Sequence, residues 1–536
     1  MANFLNLGNE KLKNMVNQRI FIDKSMLIKY CNLNIKDYYS SRFMCITRPR
    51  RFGKTMAISM LEAYYSKGCS SKELFKNLKI YNDSSFEKHL NKHNVITIDM
   101  AGIGTSLENK NDILKKITNL LIEDLKEAFP NILTEENTIS DALMKIYSST
   151  KETFIFLIDE WDYIYREFDY DTLMCNKFTD FLRSIFKNSA LLSCIDLVYM
   201  TGILPIKRYN SQSALNNFTE YNMLDPYTLT EFVGFTEEEV SDLCKQYNMD
   251  INDMKHWYDG YHYSEVGDLY NPKSVVEALS RRRYNDYWVS TSSLEAVTNY
   301  MNYDNGELKD IIASLIAGNK VNVNTSLFSN DLTRVDSKDA ALTVLIHLGY
   351  LAYDRENEQC YIPNYEIRQE FNNGVLSLKW QEIESPLSKS RELLNQTVLL
   401  NKKYIEEVFD NNLERFTTIF NRLDENVLSV LLNVSYDYAR KEYNFFKEAN
   451  VGIGRADLIL VPYRTNKPGI IFELKVDSSC LEAIKQIKEK DYLKSFANYE
   501  GKILLIGINL NSKTKKHSVL IEEVNKLWFF LSMLLK

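Results

Sequence analysis

The first two hundred residues alternate short apolar runs with segments of amphipathic helix, the pattern of a mainly parallel α/β sheet. Four runs are apolar on both faces, as strands are in a sheet that helices cover on both sides. The predicted strands are residues 42–47, 94–102, 153–160 and 195–202. The pattern therefore predicts an N-terminal α/β domain, which we place at residues 1–235.

After this domain the pattern becomes mainly helical. Thr236, followed three residues later by Glu239, forms a capping box that predicts a helix over TEEEVSDLCKQY. Residues 340–372 have the order helix, strand, polar turn, strand, helix, which resembles a winged helix. Such domains bind DNA or serve as packing elements, and the lack of a basic recognition helix favours packing. We predict a helical lid and winged-helix-like region over 236–372 and a connection over 373–399.

Residues 400–536 form a last α/β unit, whose most informative stretch is GIGRADLILVPYRTNKPGIIFELKV. Its two apolar runs, separated by a short polar turn, predict a β-hairpin. Asp457 begins the first run, and Glu473 and Lys475 lie inside the second. Because alternate residues of a strand share a face, Glu473 and Lys475 point one way and Leu474 the other. Lone charges in buried strands are costly unless they are paired or bind a metal.

The composition is that of a globular protein, with 45% hydrophobic and 26% charged residues. A length of 536 residues predicts roughly two to four domains. The eight cysteines are scattered and form no C-x-x-C motif, which favours a reducing compartment over disulfides or a zinc site. No signal peptide and no stretch long enough to span a bilayer is predicted. We therefore expect a soluble, cytoplasmic protein without membrane contact.

The net charge of −7 argues against nucleic acid binding over the whole surface, since phosphate contacts need clustered Lys and Arg. The charge is unevenly spread, because residues 440–536 contain 17 Lys and Arg against 11 Asp and Glu. A basic C-terminal region attached to an acidic body suggests a local site for a polyanion. The alternative interpretation is an ordinary fluctuation of surface charge.

A phosphate-binding loop is predicted in TRPRRFGKTMAI, directly after a strand and at the start of a helix. Backbone N–H groups of Gly53 and its neighbours would point at phosphates, Lys54 would neutralise charge, and the Thr55 hydroxyl would bind Mg²⁺. With Arg51, these residues form the predicted ATP site. Arg48 stands where the P-loop pattern has its first glycine. Losing that residue's free positive φ predicts an altered loop geometry or nucleotide affinity.

Asp159 and Glu160 end the most apolar strand, at the edge where open α/β sheets bind ligands. Asp159 is predicted to hold Mg²⁺, mostly through water, and Glu160 to orient the attacking water. Thr201 ends the next strand and is predicted to contact the γ-phosphate. The alternative is that Gly-Lys-Thr is only a helix start and Asp-Glu a helix cap. Two motifs in the correct order favour ATP binding, whereas the sequence identifies no arginine finger that would support hydrolysis.

The predicted hairpin brings Asp457 beside Glu473, and two neighbouring carboxylates repel each other unless a divalent cation neutralises them. Carboxylate oxygens, with the carbonyl of Leu474, suit Mg²⁺ or Mn²⁺. Lys475, two residues further on, can orient or deprotonate a water for attack on phosphorus. The alternative is a hairpin with an ordinary cross-strand salt bridge.

This D…E-x-K arrangement resembles the PD-(D/E)XK nuclease superfamily, with Gly454-Arg455 before the aspartate. The next helix carries Gln486, Lys490 and Tyr492, similar to the Q-I-x-x-K-x-Y segment of one branch. The strand KILLIGINL completes the expected core. The resemblance implies that the three hairpin charges and Gln486 are catalytic. An upstream acidic residue often joins such sites, and Glu448 is the nearest candidate.

The whole chain resembles a bacterial family that joins an N-terminal AAA-ATPase-like domain to a C-terminal PD-(D/E)XK nuclease domain. In that family an arginine at position 48 is usual. The matching landmarks occur in the same order along nearly the full length. They are FIDKS (21–25), RPRRFGKT (48–55), LIDEWD (157–162), YNPKS (270–274), LGYL (348–351), IPNYEI (362–367) and GRADLIL (454–460).

These observations predict an ATP-regulated, Mg²⁺-dependent nuclease whose expected substrate is DNA. ATP bound between Lys54 and Asp159 would rearrange the lid and thereby license the C-terminal site. The architecture suggests a role in defence or mobile-element biology. Two alternatives stay open: a nucleotide-switched regulatory or interaction protein whose nuclease-like domain does not cleave, and an ATP-hydrolysing motor. A homo-oligomer is compatible with the sequence.

Overall fold

The computed structural model divides the chain into two compact units. The first unit comprises Met1–Trp288 and Asn322–Asn364, and the second comprises Val289–Val321 and Tyr365–Lys536. The described residues are 2–36, 42–134, 138–168, 171–206, 208–209, 212–213, 215–288, 294–302, 308–328, 335–451, 454–464, 466–489, 492, 496 and 499–525.

The N-terminal part of the first unit is built on a parallel sheet. Its strands are β1 (Phe43–Thr47), β2 (Asn94–Asp99), β3 (Phe154–Asp159), β4 (Ile195–Gly202), β5 (Arg208–Tyr209), β6 (Gln212–Ser213) and β7 (Thr219–Tyr221). Five of them form one sheet in the order β2-β3-β4-β1-β7, with parallel pairing throughout. Strands β1, β3 and β4 are buried along their whole length. The predicted parallel α/β sheet is therefore confirmed.

Helices cover both faces of this sheet. They are α1 (Glu10–Val16), α2 (Met26–Asn34), α3 (Lys54–Tyr65), α4 (Lys72–Phe75), α5 (Phe86–His89), α6 (Met100–Thr105), α7 (Ile113–Ala128), α8 (Ile139–Thr150), α9 (Tyr163–Glu167) and α10 (Thr172–Phe186). A large apolar core lies between the sheet and α7, α8 and α10. Helix α3 packs against β2, β3 and β4. The predicted strand 94–102 is wrong in its last three residues, because the Asp99 carboxylate accepts a hydrogen bond from the Gly102 N–H and caps α6.

A smaller helical layer, which we call the lid, follows the sheet. Its elements are β8 (Phe235–Thr236), α11 (Glu237–Tyr247), α12 (Ile251–Tyr258), β9 (Tyr261–Tyr263), β10 (Gly267–Tyr270) and α13 (Pro272–Arg281). The lid has its own apolar core, which Ile20 of the N-terminal segment joins. The predicted capping box is present, since Thr236 and Glu239 exchange hydrogen bonds at the start of α11.

The predicted order of helix, two strands and helix is confirmed after residue 335. The elements around it are α14 (Leu294–Met301), α15 (Lys309–Ile316), β11 (Val321–Asn322), α16 (Lys338–Leu348), β12 (Ala352–Asp354), β13 (Gln359–Tyr361) and α17 (Tyr365–Ser377). The first unit contains α16 with β12 and β13, whereas α17 belongs to the second unit.

The second unit combines helices with a mixed sheet. Its further elements are α18 (Gln381–Val398), α19 (Lys402–Phe420), α20 (Glu425–Ser435), β14 (Tyr443–Val451), β15 (Gly454–Pro462), β16 (Gly469–Val476), α21 (Cys480–Glu489), β17 (Lys502–Asn511) and β18 (Lys516–Asn525). The stretch predicted as a connection, 373–399, is thus mostly helical. The strands follow their chain order in the sheet, and only β16 and β17 pair in parallel. The predicted hairpin is β15–β16.

Acidic side chains cover the outer edge of this sheet. On α19, Glu406 accepts a hydrogen bond from the Val519 N–H at 2.9 Å, and Asp410 accepts one from the His517 N–H at 2.8 Å. The exposed backbone groups of an edge strand can pair with another chain. Here the two carboxylates accept hydrogen bonds from backbone N–H groups of the edge strand β18. Among the helices that the structure describes, none combines the length and the apolar character needed to cross a membrane.

Candidate functional site

The loop between β1 and α3 holds two left-handed residues before the helix begins. Gly53 has φ of +92° and Arg51 has φ of +70°. Glycine adopts such angles without strain, whereas a residue with a Cβ does so rarely. Arg48, by contrast, does not have a positive φ. The loop thus makes its left-handed turns at Arg51 and Gly53, and the altered loop geometry or nucleotide affinity expected from Arg48 stays a prediction.

The side chain of Arg48 anchors the base of this loop. It is fully buried and donates hydrogen bonds to the carbonyls of Thr47 at 2.8 Å and Tyr221 at 3.0 Å. Its backbone N–H donates to the carbonyl of Gly202 at 3.0 Å. Arg48 therefore ties the end of β1 to its neighbours β7 and β4, and its role in this structure is to support the loop.

Lys54 lies buried beneath the same loop. Its Nζ donates to the carbonyls of Arg48 at 3.0 Å and Pro49 at 2.9 Å. Burial lowers the pKa of Lys54, and three nearby carboxylates oppose that shift. They belong to Glu160, Asp162 and Asp159. A buried ammonium group is thus held at the start of α3, where backbone N–H groups favour anions.

The predicted residues at the ends of β3 and β4 meet in the structure. Asp159 and Thr201 are both buried, and the Thr201 hydroxyl donates to Asp159 Oδ1 at 2.5 Å. The Glu160 N–H donates to the same oxygen at 3.1 Å. Glu160 itself has φ of +51°, a left-handed conformation that is uncommon for a residue with a side chain. Burial raises the pKa of the Glu160 carboxyl group, and Lys54 and Arg166 counteract part of this rise.

Two charged residues that the sequence analysis did not single out complete this region. Asp162 is fully buried, and its Oδ2 accepts hydrogen bonds from the N–H groups of Ile203 at 3.1 Å and Leu204 at 2.9 Å. Arg166 Nε donates to that oxygen at 3.0 Å, and Arg166 Nη2 donates to the Glu160 carboxylate. The sequence did contain a signal for this pair. Asp162 and Arg166 are four residues apart, just after the predicted Asp-Glu pair, so they were placed to meet on one side of a helix.

A cavity of about 430 Å³ lies beside the loop in the first unit. Its polar lining includes the predicted residues Arg51, Gly53, Lys54, Thr55 and Glu160. Its apolar lining comes from the N-terminal segment, the loop, α3, the residues just before the lid and the lid itself. These residues are Met15, Ile20, Phe21, Ile22, Phe52, Met56, Ala57, Met60, Phe232, Phe235, Pro272 and Val276. The polar residues could bind phosphates, and the apolar residues could contact a base, so the cavity fits a nucleotide.

The β15–β16 hairpin opens at the predicted charges. Pairing between the two strands runs from Leu460 opposite Ile470 to Leu458 opposite Phe472, and goes no further among the described residues. Beyond that point β15 continues along β14, and β16 continues along β17. Asp457 and Glu473 are the next residues on their strands, so they flank the opening. We call this place the strand fork.

Hydrogen bonds hold the charged side chains at the strand fork. Asp457 Oδ2 accepts a bond from the Leu474 N–H at 2.6 Å. Glu473 is 3% exposed, and its Oε1 accepts bonds from Lys475 Nζ at 3.0 Å and from the Gln486 side chain. The structure therefore brings Glu473, Lys475 and Gln486 into contact and places Asp457 against the neighbouring Leu474. Because the N–H and C=O of a strand residue face the same side, the Leu474 carbonyl also faces β15.

The position of Gln486 depends on a glycine in the neighbouring strand. Gly507 pairs with Glu473, and a Cβ added to Gly507 would lie 2.5 Å from the carbonyl oxygen of Cys480 at the start of α21. Only glycine lets α21 pack so closely that Gln486 reaches Glu473. Tyr492 lies near the same groups, where burial raises its pKa to about 12 and the carboxylates add to the shift.

The strand fork offers oxygen ligands for a divalent ion. Within the described residues, no group of three His, Cys, Asp or Glu side chains is arranged to hold a metal. The oxygens available are those of Asp457, Glu473 and the Leu474 carbonyl, which suit Mg²⁺ or Mn²⁺ because these ions prefer oxygen ligands and retain water. Lys490 and the side chains of Arg455 and Glu448 lie outside the described residues.

Two family models match the chain. Residues 7–210 match a family described as predicted AAA-ATPase, and residues 424–519 match the PD-(D/E)XK nuclease superfamily. The first match contains the predicted phosphate-binding loop, and the second contains the strand fork. No curated protein matches the chain. The matches confirm the resemblance at the level of these two domains and support, in general terms, a nucleotide-binding nuclease.

Three solved structures that are similar to the chain have TM-scores below 0.3. Cdc6p of Pyrobaculum aerophilum is 10% identical, covers 66% of this chain and 93% of its own, and has a TM-score of 0.23. The Aeropyrum pernix ORC1 protein in complex with DNA is 10% identical, covers 86% and 95%, and scores 0.24. The Aeropyrum pernix ORC2 protein is 12% identical, covers 70% and 96%, and scores 0.28.

Gly507→Ala tests the packing of α21. The added Cβ has backbone on one side and Ala483 on the other, so the helix must shift. We expect the free energy of unfolding to fall by about 1–3 kcal/mol, the usual effect of overpacking. Urea denaturation measures the change. Lys502→Ala, at the exposed start of the same strand, is the matched control and should change stability by less than about 0.5 kcal/mol. Equal stability of the two variants would show that a methyl group fits between β17 and α21 without moving the helix.

Proposed function

We propose that the protein is an ATP-regulated nuclease that uses a divalent metal ion to hydrolyse phosphodiester bonds in DNA. The observation that carries this proposal is the strand fork. Asp457 and Glu473 flank the point at which β15 and β16 separate, and Lys475 Nζ lies 3.0 Å from Glu473. The match of residues 424–519 to a nuclease superfamily supports the same conclusion.

The residues at the strand fork have distinct tasks in this proposal. Asp457, Glu473 and the Leu474 carbonyl would hold Mg²⁺ or Mn²⁺. The ion, when bound, would neutralise the two carboxylates and lower the pKa of a bound water. Lys475 would orient that water for attack on phosphorus, and Gln486 would keep the Glu473 carboxylate in place. Hydrogen bonds that already fix these groups reduce the rearrangement needed during the reaction.

The cavity in the first unit would hold ATP. Lys54 would exchange the carbonyls of Arg48 and Pro49 for the β- and γ-phosphates, and the apolar lining would take the base. Thr55 and Asp159 would hold Mg²⁺ because hydroxyl and carboxylate oxygens suit that ion. Glu160 lines the cavity and would orient the water that attacks the γ-phosphate.

The lid would connect the nucleotide to the nuclease site. Pro272 and Val276 of α13 line the cavity together with residues of the loop and of the N-terminal segment. A bound nucleotide would therefore draw lid and loop together. The chain leaves the first unit after Trp288, returns to it at Asn322 and leaves it again after Asn364. Lid movement would reach the second unit through these crossings, which is the regulatory step of the proposal.

Removal of the charges at the strand fork tests the nuclease activity. We expect the wild-type protein to cleave plasmid or single-stranded DNA with Mg²⁺ and to lose cleavage with a chelator. Asp457→Ala and Lys475→Ala should each lower the rate by about 100-fold or more, because they remove an oxygen donor or the group that orients water. Gel assays of product formation measure this. Lys485→Ala, on the exposed face of α21, is the control and should cut like the wild type.

Two outcomes would contradict the assignment in different ways. If both charge variants cut as fast as the wild-type protein, the strand fork is not the nuclease site. If the wild-type protein binds DNA but does not cleave it with any divalent ion, the protein is not a nuclease. It would then be a nucleotide-switched interaction protein whose second unit binds DNA without cutting it.

Lys54→Ala tests nucleotide binding and its link to cleavage. Loss of the ammonium group removes charge-assisted hydrogen bonds to phosphate, so we expect MgATP to bind about 10- to 100-fold more weakly by calorimetry. Any effect of ATP on DNA cleavage should disappear, while cleavage without ATP persists. Lys13→Ala, an exposed lysine of α1 whose partner Glu10 is also exposed, is the control. Unchanged MgATP affinity in Lys54→Ala would remove the nucleotide half of the proposal.

A further inference from the structure

Arg166 connects the interior of the first unit to Glu160. Its guanidinium is mostly buried, with the side chain 11% exposed, and it contacts two carboxylates. Nε donates to Asp162 at 3.0 Å, and Nη2 donates to Glu160 Oε2. Glu160 is the more exposed of the two acids, with its side chain 24% accessible, and it lines the cavity.

Asp162 fixes the inner end of this chain of contacts. It has no exposed surface, and its Oδ2 already accepts two backbone hydrogen bonds, from Ile203 and Leu204 just after β4. Backbone donors at the end of a central strand do not move independently of the sheet. Arg166 is therefore held by a group that is itself fixed to the sheet, and its other nitrogen reaches outward to Glu160.

Glu160 needs such a partner more than most surface glutamates do. Its side chain has three rotatable bonds, and ordering a glutamate costs about 1.5–2 kcal/mol of rotamer freedom. Its backbone is fixed in a left-handed turn, since the Glu160 N–H donates to Asp159 and the Trp161 N–H donates to the Thr201 carbonyl at 2.9 Å. The contact with Arg166 fixes the remaining part, which is the carboxylate.

A simpler explanation is that Arg166 only neutralises the buried charge of Asp162. That explanation accounts for Nε but not for the second donor. The planar guanidinium presents its donors in a rigid fork, so placing Nε on Asp162 also fixes the direction of Nη2. The residue that receives this second bond is Glu160, which lines the cavity together with Lys54.

We propose that Arg166 is a positioning residue for ATP hydrolysis, which holds the Glu160 carboxylate in the orientation that accepts a proton from the attacking water. This inference rests on the proposed ATP site. In the step concerned, the water oxygen bonds to the γ-phosphorus while the bond to the bridging oxygen breaks. ADP leaves with the electron pair of that bond, and the water proton passes to Glu160. Arg166 acts through Glu160 and is not required for nucleotide binding.

Steady-state phosphate release and MgATP calorimetry on the full chain test this role. We expect Arg166→Ala to lower kcat by about 100-fold, as expected for a misplaced general base. The dissociation constant of MgATP should stay within about threefold, because phosphate binding depends on Lys54 and the loop. Arg166→Lys keeps the charge but loses the fork, and its kcat should lie between those of Arg166→Ala and the wild type. Arg183→Ala, which breaks an exposed ion pair with Asp180, is the matched control and should leave both values unchanged.

A double variant separates positioning from general structural support. If Arg166 acts through Glu160, then Arg166→Ala should lower kcat no further in an E160Q background. A further loss there would overturn the proposal. If Arg166→Ala lowers the unfolding temperature markedly, Arg166→Lys replaces it, and kcat is compared between Arg166→Lys alone and Arg166→Lys in the E160Q background. A wild-type protein that hydrolyses ATP, together with an Arg166→Ala variant of unchanged kcat, would overturn the inference alone. A wild-type protein without ATP turnover would overturn the hydrolytic half of the proposed function as well.

Discussion

Charged groups at the ends of buried strands need partners that replace water, and this constraint shapes both candidate sites. An unpaired charge in a protein interior costs several kcal/mol even after relaxation. Lys54 is therefore set on two carbonyl oxygens, and Asp162 on two backbone N–H groups. Glu473 receives Lys475 and Gln486. These partners belong to the sheet, the loop or a packed helix, so they both stabilise the charged side chain and fix its orientation. The same hydrogen bonds therefore contribute to stability and to preorganisation of the site.

At the strand fork, one carboxylate both satisfies a backbone N–H group and belongs to the candidate site. Where β15 and β16 separate, the inner edge of β16 loses its partner strand, and buried N–H groups must find another acceptor. Asp457 supplies one by accepting from the Leu474 N–H. The same carboxylate is one of the oxygens proposed for the metal. An aspartate at this position therefore both ends the pairing of the hairpin without an orphaned donor and holds a negative charge beside Glu473.

Local patterns were sufficient for much of this structure. Continuous apolar runs identified β1, β3 and β4, and strand alternation placed Glu473 and Lys475 on one face. Contacts that depend on docking between distant segments could not be predicted in this way. Gln486 was named only through the family resemblance, and its contact with Glu473 requires Gly507 to admit α21. The left-handed turn at Arg51 and the anchor formed by Arg48 arise from how the loop meets β4 and β7. No periodicity encodes either of them.

The two sites differ in the kind of backbone that carries them, and this difference agrees with a division between regulation and cleavage. Around the cavity, Arg51, Gly53 and Glu160 are left-handed, and for the two residues with side chains such a conformation costs about 1–3 kcal/mol. Residues held under strain can relax when a ligand changes their surroundings. At the strand fork, Asp457 and Glu473 lie in regular strands, where packing and sheet hydrogen bonds oppose movement. The loop beside the cavity is thus the part suited to change shape, whereas the strand fork has the more rigid backbone.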